Sequence, residues 1–192
     1  MKYKLYAIFF LVIALGVAAI FFISFGYYPI AIVNGRFITA KTFVNDYAVA
    51  SVYYQNILKT YEKSSSTPEI LTPAQIQQSV LTGLIENVLI DDGARKEIGS
   101  GLDNLVNEKV NQAVDSGASG DIEKAVKSVY GINMNDFKNE ILVPQAERDL
   151  LTGSLFLKGQ KIEDWLTAAK KAGNIIILSG KFYWDGENVN SR

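Results

Sequence analysis

The first pattern along the chain is an uncharged, predominantly apolar run from Leu5 to Phe25. A run of this kind is long enough to cross hydrocarbon, which takes roughly 20 residues at helical rise. Lys2 and Lys4 stand before it and the next basic residue is Arg36. The positive-inside rule then predicts a cytoplasmic N-terminus and an exported remainder. A cleaved signal would carry a shorter apolar core with a small-x-small site after it, whereas Val17-Ala18-Ala19 lies inside the run. The expectation is an uncleaved, single-pass transmembrane helix within residues 1–28. Tyr27 and Tyr28 would sit at the outer interface and Pro29 would stop the helix.

Beyond Pro29 the period changes. Ile30-Ala31-Ile32-Val33 and Arg36-Phe37-Ile38 flank Asn34-Gly35, a pair that accepts the positive φ of a type I′ turn, so a β-hairpin is predicted. Near the C-terminus, Asn174 to Leu178 and Phe182-Tyr183-Trp184 are again β-prone. The first and last segments of the domain are expected to meet in one small antiparallel sheet. Between them the pattern is helical. Phe43, Tyr47, Ala50, Tyr54, Ile57 and Tyr61 alternate by four and three behind a Thr39 cap, up to the break at Ser64 to Pro68. Thr72-Pro73-Ala74-Gln75 reads as a capping box with proline at the first helical position. The helix it opens has a broad face of Ile76, Val80, Leu81, Leu84, Ile85, Val88 and Leu89. Shorter helices follow. One carries Leu102, Val106, Val110 and Val114. The next, after the Ser116 to Gly120 loop, carries Ile122, Val126, Val129 and Tyr130. A third, capped by Asn135 and kinked at Pro144, carries Phe137, Ile141, Leu142, Leu150, Leu151 and Leu155. The last carries Ile162, Trp165, Leu166 and Ala169 and ends on a left-handed Gly173. The fold class is mostly α with a small antiparallel sheet and one N-terminal transmembrane helix, divided into residues 1–28 and a domain over residues 29–192.

Composition narrows the chemistry. The 192 residues include no cysteine and no histidine, and the formal net charge is −1. Disulfide frameworks, thiolate chemistry, zinc sites and histidine-based triads are removed together. No positive field is present to hold nucleic acid. No nucleophile–base pair can be assembled from neighbouring residues, so the chain is read as a non-enzyme with no catalytic, cofactor-binding or metal-binding residues.

The order of elements is what carries a family likeness. A transmembrane segment, then Ala31-Ile32-Val33-Asn34-Gly35-Arg36-Phe37-Ile38-Thr39 leading into a helix with Phe43, resembles the opening of SurA-type chaperone domains. That superfamily includes the membrane-anchored PpiD-like and PrsA-like foldases. Leu84-Ile85-Glu86-Asn87-Val88-Leu89-Ile90 resembles its second helix, and Tyr130 to Leu151 its later helical pair. Many relatives insert a parvulin isomerase domain before the final strand. Here one helix leads straight from Leu155-Phe156-Leu157 to that strand, so the resemblance implies the chaperone module alone.

What the resemblance implies is a membrane-anchored, extracytoplasmic, holdase-like chaperone that binds unfolded, newly exported polypeptides non-covalently. An isomerase or the translocon is an expected partner. Its client surface is placed on the tyrosines of the first domain helix, Tyr47, Tyr53, Tyr54 and Tyr61, where area is joined to a hydrogen-bonding tip. The plainer reading puts Phe43 and Tyr47 in ordinary core. The alternative function is a non-catalytic structural or assembly subunit of a membrane complex with one dedicated partner. Elsewhere the plain readings suffice. Asn34-Gly35 and Asp185-Gly186 are turns, Asp91-Asp92 a solvated pair, and Glu163-Asp164 a helix-dipole feature. Trp165 and Trp184 are aromatic core, and Lys158, Lys161, Lys170 and Lys171 form a solvated basic face.

Overall fold

A computed structural model describes residues 2–61, 70–115 and 119–192. The chain runs through α1 (Lys2–Ser24), β1 (Pro29–Val33), β2 (Arg36–Thr39), α2 (Ala40–Tyr61), α3 (Pro73–Ile98), α4 (Leu102–Asp115) and α5 (Ser119–Tyr130). It continues through α6 (Met134–Phe137), a π-helical turn (Lys138–Leu142), α7 (Val143–Leu157), α8 (Ile162–Ala172), β3 (Ile175–Ile177), β4 (Phe182–Trp184) and β5 (Val189–Ser191). The break at Ser64 to Pro68 lies outside the described residues, as does most of the Ser116 to Gly120 loop.

The expected membrane-spanning helix is corrected: among the described residues, no helix is long and apolar enough to cross a membrane. In α1 the described apolar side chains are exposed. The segment after α1 is tied to the start of α2 by two backbone bonds, from Lys41 N–H to Gly26 C=O (2.8 Å) and from Ala40 N–H to Tyr28 C=O (3.0 Å).

The β1–β2 hairpin turns on Asn34 (φ 50°) and Gly35 (φ 83°), both left-handed as a type I′ turn requires. A bulge between Pro29 and Ala31 breaks the period of two, which explains why the adjacent Ile30 and Ala31 are both buried. β3 pairs antiparallel with the other edge of β1, giving the order β2-β1-β3.

The expectation of a single terminal sheet is also corrected. Phe182-Tyr183-Trp184 does not extend that sheet but pairs with Val189–Ser191 as a second, two-stranded one. The chain reverses at Asp185, whose Oδ1 accepts the N–H groups of Glu187 (2.8 Å) and Asn188 (2.7 Å), so the nearest strand partner is local. Those bonds hold the Asp185 carboxyl below its usual range. The hairpin is fastened to α3 by Val189 N–H donating to Thr82 Oγ1 (3.1 Å), and Phe182 enters the core edge-on to Phe43 (6.2 Å).

α3 is the central element, packed by α2, α7, α8 and strands of both sheets. Its start is the full capping box of Thr72 and Gln75 with Pro73 behind it. Its buried Leu81, Ile85, Leu89, Ile90 and Ala94 meet Leu151 and Leu155 of α7, Leu166 of α8 and Ala31 and Val33 of β1 in one core. Two helix ends differ from expectation. Asn133, not Asn135, caps α6 by accepting Asp136 N–H (2.9 Å). Gly173 is extended (φ −70°) rather than left-handed; it is small because a Cβ would come within 3.0 Å of Ala169 O and 3.3 Å of Leu89. Pro144 sits in the first turn of α7, directly after the π turn. Without an N–H it leaves the preceding turn free to widen, and Val143 N–H reaches back five residues to Lys138 C=O.

Candidate functional site

Two helices present matching faces to each other. On α2, Asp46, Val49, Ala50 and Tyr53 follow the spacing i, i+3, i+4, i+7; on α3, Val80, Gly83, Leu84 and Asn87 repeat it. Tyr130 at the end of α5 and Glu140 and Ile141 in the π turn close the third side. The result is an open apolar groove of about 260 Å³. It continues past Asp46, Leu84, Asn87 and Glu140 into a second lobe of about 240 Å³, bounded by Arg36, Phe37, Asn139 and Pro144. Gly83 makes part of this room, since a Cβ there would meet nothing within 4 Å.

The rim is aromatic. Tyr53 stacks on Tyr130 with ring centroids 5.2 Å apart and planes within 5°, and Tyr130 leans on Phe137 at the same distance. Burial, and then the neighbouring Tyr53, raise the Tyr130 hydroxyl above its ordinary value. At the other end Phe37 stands 68% exposed. Asn56 pins the α5 end of this wall by donating to Ser128 C=O (2.9 Å) and Val129 C=O (3.0 Å). Gly131 (φ 77°) lets the chain turn beneath Val52 at 3.2 Å from a Cβ position.

The floor holds two carboxylates. Burial first, and the charge of Glu140 second, push Asp46 up to about 7. Burial, and then Asp136, push Glu140 upward. Among the described residues neither joins an ion pair, and Glu140 Oε2 is buried without a hydrogen-bond partner.

Beside the groove lies an ionic cluster. Asp91, expected to be solvated, is 5% exposed; it is held by Arg36 of β2 and by Arg95 one turn along α3 (2.8 Å). Arg36 also reaches Asp92 (3.2 Å) and Arg95 reaches Asp103 (3.1 Å). Asn34 donates to Asp92 (3.0 Å) and accepts Asn174 N–H (3.0 Å), joining hairpin, α3 and β3. Glu147, in this company, is pushed up to about 7 by burial and then by Asp91. Three lysines of the expected basic face are engaged: Lys158 with Glu97, Lys170 with Glu86 (2.6 Å) and Lys171 with Glu187 (3.7 Å).

The four tyrosines expected to form one surface are divided. Tyr53 lines the groove. Tyr47 points elsewhere, stacked on Phe43 (6.5 Å), which itself faces Phe182. The Tyr54 hydroxyl accepts Leu71 N–H (2.6 Å), holding the approach to α3. Tyr61 ends α2, and its side chain lies outside the described residues. Asp46 and Glu140 are not singled out by the sequence, and Tyr130 is read there only as part of the apolar face of α5. Asp46 reads there as the polar side of α2. Glu140 reaches the groove through a π turn, which leaves no periodic signature. The arrangement offers non-covalent chemistry: an apolar wall, stacked phenols and two carboxylates. Among the described residues, no group of three or more acidic side chains stands together as a metal site. No family model matches the chain, and neither a curated protein nor a solved structure matches it.

Proposed function

We propose that this chain is a non-catalytic chaperone of the holdase type, binding segments of unfolded polypeptide in the groove between α2, α3 and the π turn. The observation that carries the reading is the groove itself. Val49, Ala50, Val80, Leu84 and Ile141 line it, yet none is fully buried, so apolar surface that folding ordinarily hides is left open to water. Its two joined lobes suit an extended segment better than a compact ligand. The stacked Tyr53 and Tyr130 add sequence-tolerant contact area. The likeness of the element order to SurA-type domains supports the same reading.

The test is suppression of aggregation. The chain is mixed with several unrelated proteins as they unfold, and light scattering is followed. Suppression across clients, weakened by Tyr53→Ser, is the expected result; a folded chain that suppresses none would sink the proposal.

One observation favours the second reading, a structural or assembly subunit with one dedicated partner. Phe37, Ile32 and Ile176 stand side by side across β2, β1 and β3, and Phe37 and Ile176 are exposed. A flat apolar stripe of this kind fits a folded surface. Tight, saturable binding of a single protein, unaffected by Tyr53→Ser, would favour it.

A further inference from the structure

A groove for unfolded chains needs only apolar surface, and this one also holds two carboxylates. Asp46 comes from α2 and Glu140 from the π turn, so different elements bring them to the stretch that the two lobes share. Ionised carboxylates among apolar walls are costly unless a cation meets them. No described cation does so. Arg36, the basic residue of the second lobe, is committed to Asp91 and Asp92. Lys41 of α2 lies over the Tyr27 ring, 5.0 Å from its centroid. Glu140 Oε2 is left without a hydrogen-bond donor.

We propose that the groove selects polypeptide segments in which a lysine or arginine is flanked by apolar residues, its cation seated at Asp46 and Glu140. The inference rests on the peptide-binding reading above and adds the occupant's chemistry. Three features fit such a segment. The long aliphatic stem of either residue is compatible with Val49, Leu84 and Ile141 while its charged head reaches the carboxylates. Residues flanking the cation meet Tyr53 and Tyr130 on one side and Phe37 on the other. A bare metal ion fits poorly, because no third acidic ligand stands with these two among the described residues. The raised proton affinity of both groups is what an empty cation seat would show.

The test uses the 192-residue chain and two short, unstructured, fluorescein-labelled peptides. They share one apolar sequence and differ only in a central arginine or its neutral isostere citrulline. Anisotropy titrations are run at low salt and pH 8. The arginine peptide is expected to bind at least about tenfold more tightly, the scale of charge-assisted hydrogen bonds at a partly desolvated site. The double variant Asp46→Asn, Glu140→Gln should bind both peptides alike, while Asp121→Asn on the exposed side of α5 should keep the preference. Equal binding of the two peptides by the unaltered chain would overturn this inference and leave the holdase reading standing. Failure to bind either would overturn both. A change in sedimentation produced by the double variant without peptide would assign the groove to a second copy of the chain, and so would also overturn it.

Discussion

Trp165 of α8 occupies the space that a side chain at Gly93 of α3 would fill: a Cβ there would stand 2.5 Å from the indole Cη2. Gly93 is buried and the same Cβ would also press on Leu151 at 3.3 Å, so neither the backbone nor the ring has free room. Gly93→Ala should therefore cost about 3 kcal/mol by overpacking, against which the helix-propensity gain of alanine is small. Thermal melting should show a fall of roughly 6–12 °C for a chain of this size. An unchanged midpoint would mean that α8 does not dock on α3 as described.

The second prediction concerns the ionic cluster. Asp91 is buried, and Arg36 and Arg95 share it. Arg36→Ala leaves that carboxylate with one partner. Because the Arg36 side chain is 48% exposed, solvent screens the loss, and the expected cost is about 1–2 kcal/mol rather than that of a fully buried pair. In an Asp91→Asn background the same substitution should cost less than half as much. A double-mutant cycle measured by urea denaturation checks this, and additive effects would show that the two side chains do not interact.

The third prediction is a pH dependence with a defined sign. Asp46 titrates at about 7 in the folded chain and at about 4 when unfolded. The folded state holds that proton more tightly, so its stabilising contribution is complete below about pH 4 and is lost as pH rises through 7. Asp46→Asn removes the dependence. After discounting for the partial access of water, the variant should gain about 1–2 kcal/mol at pH 8 and almost nothing at pH 4. Glu147 carries a similar slope of its own, so the difference between variant and parent is the diagnostic quantity. Equal gains at the two pH values would contradict the placement of Asp46.

Local signals made part of this fold legible. Asn34-Gly35 specifies its own turn through two left-handed residues, and Thr72, Pro73 and Gln75 specify a helix start within four residues. The α4 face of Leu102, Val106 and Val110 follows from spacing alone. What could not be read depends on partners far apart in the chain. Asp91 looks solvated beside Asp92 until Arg36, 55 residues away, is folded against it. Phe182 looks like a continuation of the terminal sheet until Asp185 turns the chain back and Phe43 receives its ring. The groove was half legible. Tyr53, one of the four tyrosines expected to form a client surface, lines it, but the second stripe on α2 and the π turn that delivers Glu140 carry no sequence signal. An acidic residue within an otherwise apolar face reads as a solvated position, and a π turn breaks the 3.6-residue count on which facing is judged.

The most direct measurement fills the groove. Gly83 lies in its wall with open space where a Cβ would project, so the side chain of Gly83→Leu starts in free space at the groove, and the change improves helix propensity by about 1 kcal/mol. Binding of a fluorescently labelled, permanently unfolded polypeptide is measured by anisotropy for the parent chain and this variant, with melting recorded for both. The account predicts a variant at least as stable as its parent with binding weakened about tenfold or more, the effect of losing a contact worth about 1.4 kcal/mol. A stable variant that binds the unfolded chain as well as the parent would show that the groove is not where clients are held.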